Sequence, residues 1–173
     1  IKLKQAVERW DYVRITEYCI EHQQWVHAKR WLAKVKTFKH EENEWNPRLD
    51  AERLEQAILL HEGDVEKALT LQWTIFSHSL QLTDYQKLLT LEQRVGGKVH
   101  YAAKARSYLN GKIITQANEI AARRHANGLL EILLLEQELP AALALVRKHR
   151  VDPGLLHQLA RALASQPITA IEL

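Results

Sequence analysis

Along most of the chain apolar residues recur at steps of three and four, the period of a helix that buries one face. Ala51, Leu54, Ala57, Ile58 and His61 follow this rule, and so do Val65, Ala68, Leu69, Trp73 and Phe76 after a break at Gly63-Asp64. Gly63 can take the left-handed conformation that closes one helix, and Asp64 can accept from the first free amides of the next. The stretch "LLHEGDVEKALTLQW" (59–73) therefore predicts helix, tight turn, helix. Leu71 and Ile75 widen the second face, as expected of a helix sandwiched between layers. No sustained period-two alternation and no Asn-Gly hairpin competes with helix anywhere in the chain.

A pair of helices cannot bury both its faces alone, which directs attention to repeats. The small-then-large element Ala68/Leu71 recurs as Ala28/Trp31, Ala105/Tyr108 and Ala142/Leu145, at spacings of 40, 37 and 37 residues. Nine residues before the alanine stands an apolar pair in three copies: Cys19-Ile20, Leu59-Leu60 and Leu133-Leu134. The third copy has Gly96-Gly97 in its turn and lacks the pair. A small side chain lets paired helices approach closely, and the bulky residue one turn on fills the layer beside it. The reading is four helical hairpins plus a C-terminal helix, an all-α, right-handed α-α superhelix forming one helical-repeat domain over 1–173.

The expected segments are 7–22 with 25–38, 49–62 with 64–78, and 83–95 with a helix from about Val99 that stops around "LNGK". Next come a short and a longer helix broken near Asn127-Gly128, then a helix opened by Pro140 and running to about His149. The last is an amphipathic helix through Leu156, Leu159 and Leu163. The acidic stretch "KHEENEWNPR" links the first two hairpins.

"RLDAERLEQAILLHEGDVEKALTLQWTIF", "RRHANGLLEILLLEQELPAALALVRKH" and "DPGLLHQLARALASQPITAIEL" resemble the tetratricopeptide-like region of uncharacterised bacterial proteins. These include the part downstream of the finger in SWIM zinc-finger proteins. The resemblance implies a superhelical scaffold beside a metal-binding part, not the metal-binding part itself. The finger, Cys-x-Cys followed by Cys-x-His, cannot be formed by a chain with one cysteine.

Composition narrows the function classes. With 46% hydrophobic and 26% charged residues the 173-residue chain reads as folded and soluble, and no apolar run approaches a bilayer span. A start without Met, and no Met at all, suggests a piece of a longer chain. The single Cys19 allows no internal disulfide and points to a reducing compartment, the cytoplasm. Of nine histidines no two stand at i, i+3 or i, i+4, and His40 with Glu44 is the nearest ligand pair at helical spacing. "SHS" (77–79) reads as a helix end and "VGGKV" (95–99) as an inter-helix turn, since Val99 replaces the hydroxyl a phosphate loop requires. Cys19 reads as a buried, inert thiol. No catalytic residue, cofactor or metal is expected.

Charge is uneven. Residues 1–40 sum to +5, 41–80 to −6 and the rest to +4. In "HAKRWLAKVKTFKH", Lys29, Arg30, Lys34, Lys36 and Lys39 share a helix with Trp25, Trp31 and Phe38, a combination that suits phosphate contacts and base stacking. The expected function is a non-catalytic scaffold with a protein partner. The alternative is a nucleic-acid module using these cations, opposed by the acidic second block.

Overall fold

A computed structural model describes residues 9–37, 47–97 and 100–165. Among them lie nine helices and no strand: α1 Arg9–Glu21, α2 Trp25–Thr37, α3 Pro47–His61, α4 Val65–Ser79, α5 Leu82–Arg94, α6 Tyr101–Thr115, α7 Glu119–Leu135, α8 Leu139–Lys148 and α9 Pro153–Ala164. The all-α expectation holds. No helix among the described residues is long and apolar enough to cross a membrane. Phe38, Lys39, the acidic linker with its His40/Glu44 pair, and the Lys98-Val99 end of "VGGKV" lie outside the described residues.

The chain divides into two compact units. One holds the residues up to Ser79 with a segment from Thr90; the other holds Leu80–Leu89 and the residues from 100 on. In the first, α1 packs on α2, α3 on α4, and α3 also on α1 and α2. Val13 and Cys19 of α1, Ala28, Leu32 and Val35 of α2, and Ala51, Leu54 and Ile58 of α3 form one buried cluster. In α4 the buried Ala68, Leu69, Gln72, Ile75 and Phe76 fall at the spacing of one face, and Leu71, expected to widen it, is only half-buried. Gln56 and Gln72 bury their amides together at 2.6 Å, and Gln56 also donates to the Ala68 carbonyl at 3.1 Å. Each amide thus has a partner in a place where an orphaned one would cost stability.

In the second unit α6 packs most extensively on α7, which in turn carries α8 and α9. The pair here is α6–α7 and not the expected α5–α6 hairpin. Two sequence breaks also vanish. α6 runs through Asn110-Gly111 to Thr115, and α7 is continuous through Asn127-Gly128. Glycine costs about 1 kcal/mol in a helix interior, which packing and a good cap readily offset. Asn118 supplies that cap to α7, its side chain accepting from the amides of Ile120 and Ala121 at 2.9 and 3.5 Å. Gly128 is buried with its Cα facing the Leu80 backbone. In α9 the buried residues are Leu155 and Leu159, while Leu156 is exposed, so the apolar face is turned by one position from the expected one.

The repeat itself has a structural signature. At the end of α3, Gly63 N–H donates to Leu60 O and Asp64 N–H to Leu59 O; Ala68 N–H then opens α4 by donating to Asp64 O. The same three bonds recur as Gln23 to Ile20, Gln24 to Cys19 and Ala28 to Gln24, and as Gln137 to Leu134, Glu138 to Leu133 and Ala142 to Glu138. The acceptors are the apolar pairs that precede each alanine. At the third turn Gly96 and Gly97 donate to Gln93 and Glu92, but Ala105 lies four residues further on than the other copies would place it. The acceptors at this turn are thus Glu92 and Gln93 in place of an apolar pair. All four repeat alanines, Ala28, Ala68, Ala105 and Ala142, have no solvent exposure.

Candidate functional site

Two surfaces invite a functional reading. The first is the basic face of α2, where close pairing with α3 brings acidic residues beside the cations. Lys29 pairs with Glu62, and Lys36 pairs with Glu55 at 2.7 Å. Lys34 lies over the rings of Trp31 and Tyr12, 4.4 and 5.4 Å from their centroids, and the two rings stack at 5.7 Å. Trp31 and Trp25 pack against the buried cluster, and Trp25 also stacks on His61 at 3.8 Å. Arg30 is exposed. Of the five expected phosphate contacts, Lys29 and Lys36 tie α2 to the acidic second block, Lys34 is held on aromatics, and Lys39 lies outside the described residues. The acidic run at 41–80 was the available signal for this pairing.

The second surface was not singled out from the sequence. Arg106, early in α6, pairs with Glu136 at the end of α7 at 3.2 Å, so these helices are antiparallel. The short turn 136–138 makes α8 antiparallel to α7 as well, and α6 and α8 therefore run the same way on α7. Tyr85 OH donates to the other oxygen of Glu136, pinning the α7 end to α5. Between α6 and α8 lies an open groove of about 660 Å³. Leu129 and Leu133 of α7, Ile113 of α6 and Leu145 of α8 line it with apolar surface. Its α8 wall is Ala141 and Ala144, both exposed, whose short side chains do not reach across to α6. Ile114 stands on the α6 rim, 80% exposed.

The groove is electrically lopsided. At the end where α6 and α8 terminate it is lined by Lys148 and His149, which it shares with a second depression of about 490 Å³. That depression adds Arg123, Arg147 and Arg150. Arg123 pairs with Asp152, and Arg150 with Glu119 at 3.3 Å. Arg147 and Lys148 are exposed and pair with no carboxylate among the described residues. Nearby on α7, Glu131 is held above the usual carboxylate range, chiefly by burial and secondarily by the charge of Asp152.

His22, His78 and His125 engage carbonyls one turn back in their own helices, at 2.9, 2.8 and 2.7 Å. Ser77 donates to Thr74 O, so the residues of "SHS" close a helix end. Cys19 is buried. Among the described residues no group of His, Cys, Asp and Glu is arranged to hold a metal ion. No family model, curated protein or solved structure matches the chain.

Proposed function

We propose that this chain is a non-catalytic helical-repeat scaffold that holds other proteins, its hairpins stacking as a right-handed α-α superhelix like that of the tetratricopeptide-like, SWIM-associated regions it resembles. The observation that carries the reading is the groove between α6 and α8, which has Leu129 and Leu133 of α7 buried in its floor and Ile114, Ala141 and Ala144 exposed along its walls. Apolar surface in a concave setting favours a ligand with apolar side chains of its own. Recurrence of one turn, with one buried alanine after it, supports repeated units rather than an unrelated bundle. A single buried cysteine suits the cytoplasm. Nucleic-acid attachment through α2 is the weaker alternative, because Lys29 and Lys36 would have to leave their glutamates to reach phosphate.

Panning a library of random 16-residue peptides against the chain tests the reading. Enrichment of related sequences with micromolar affinity is expected. Failure to enrich any peptide, together with binding of a DNA duplex that weakens between 50 and 200 mM salt, would replace it with the alternative.

A further inference from the structure

Resting on that scaffold reading, we infer that the α6–α8 groove takes an amphipathic helix of a partner protein whose carboxylates are grouped at one end. Shape and charge each argue for part of this. From Arg106 to Ile114 the α6 wall rises about 12 Å, at roughly 1.5 Å per residue. Apolar anchors at i, i+4 and i+7 of a bound helix span about 10.5 Å on the same rise, so three such side chains match the length of the groove and meet the exposed Ile114, Ala141 and Ala144 above its buried floor. Ala141 and Ala144 leave the width that a third helix needs beside α6 and α8.

Charge sets the end preference. Arg106, at the α8-start end, is already engaged by Glu136 at 3.2 Å and faces Glu138 at 3.9 Å. At the opposite end Arg147 and Lys148 carry charge with no carboxylate partner among the described residues, and His149 stands with them. Residues 100–165 as a whole carry nine Lys and Arg against five Asp and Glu. A ligand with grouped carboxylates supplies the missing counter-charge there, while one with grouped lysines is repelled. Cations in the last turn of α8 also complement that helix's own dipole, but this leaves their outward side open to a ligand.

The test uses two fluorescein-labelled 16-residue helical peptides with the same leucine face, one with four glutamates grouped at one end and one with lysines there. Anisotropy is read on the full chain, and circular dichroism checks each variant's fold. The acidic peptide is expected to bind with Kd on the order of 10 µM, and the lysine peptide at least tenfold more weakly. Ala144→Trp fills the groove at an exposed position and should cost tenfold or more. Lys148→Glu should cost about fivefold, with the loss shrinking in high salt. Equal binding of the two peptides, or an unchanged Kd in Ala144→Trp, overturns the inference. If panned peptides bind while the acidic helix does not, the groove assignment falls and the scaffold reading stands; if nothing peptidic binds, both fall. A DNA duplex that binds and is lost in Lys148→Glu assigns the cations to nucleic acid instead.

Discussion

The α3–α4 and α7–α8 hairpins turn with the same three backbone hydrogen bonds, yet only one places glycine at the left-handed position. Gly63 sits there with φ of 80°, whereas Gln137 takes φ of 61° and Gln23, in the α1–α2 hairpin, 57°. A side chain in that region is strained by roughly 1 kcal/mol. The turn therefore does not depend on glycine. What the three copies share is the apolar pair before it, whose carbonyls accept the turn's bonds, and the buried alanine after it. Local turn chemistry only adjusts the cost.

The strongest way to break this comparison is to overfill the alanine. Ala68 and Ala142 both have no exposure and face a partner helix. Ala68→Leu and Ala142→Leu should each destabilise by about 3 kcal/mol, read as a drop in the urea midpoint at constant m-value. A loss confined to one hairpin would mean that the four alanines are not equivalent and that the repeat is a coincidence of sequence.

Swapping the turn residues is the next step down. Gly63→Ala should cost about 1 kcal/mol, since nothing crowds the added Cβ and only φ opposes it. Gln137→Gly should be neutral or gain up to about 1 kcal/mol by relieving the same strain, offset by the greater freedom of glycine in the unfolded chain. If both substitutions destabilise alike, the Gln137 side chain, which donates to Leu134 O at 3.3 Å, matters more than its backbone.

This contrast also explains what was legible in the sequence. Helix existence, the Gly63-Asp64 corner and the four buried alanines follow from period and small-residue spacing, because burial repeats at the helical period. The breaks expected at Gly111 and Gly128 do not form, because inside α6 and α7 packing outweighs the low helix propensity of glycine. The groove left no local mark. Ala141 and Ala144 look like ordinary helix formers, and their importance lies in what α6, some thirty residues earlier, fails to meet. The cations of α2 stood out as a patch because their partners, Glu55 and Glu62, are on another helix.

Gly128 sharpens the point at smaller amplitude. A Cβ there would meet Leu80 O at 3.5 Å and Leu80 Cβ at 3.7 Å, ordinary contact distances. Gly128→Ala should therefore stabilise by about 0.5–1 kcal/mol through helix propensity alone. A rise in thermal midpoint checks this; a fall would show that α7 must approach the Leu80 backbone more closely than a methyl allows.

The smallest effects come from two carboxylates that the hairpins treat in opposite ways. Asp64 accepts from the Lys67 ammonium and, at 3.2 Å, from the Lys67 amide, and the side-chain bond is the larger reason its pKa lies below 3.8. Stability from Asp64 is thus present above its unfolded pKa and is lost as pH falls through the lowered folded value. Glu131 lies above 4.5, first through burial and then through Asp152, so the folded chain prefers it protonated. Its contribution is fully favourable below the unfolded pKa and disappears as pH rises through the raised folded one. Asp64→Asn should accordingly lower the urea midpoint at pH 7 and approach the parent chain as pH falls through the lowered folded pKa and Asp64 becomes neutral. Glu131→Gln should raise the midpoint at pH 7 and leave it unchanged at low pH. Were the two variants to move in the same direction at pH 7, burial and the charge of Asp152 would not be what sets Glu131 apart from Asp64.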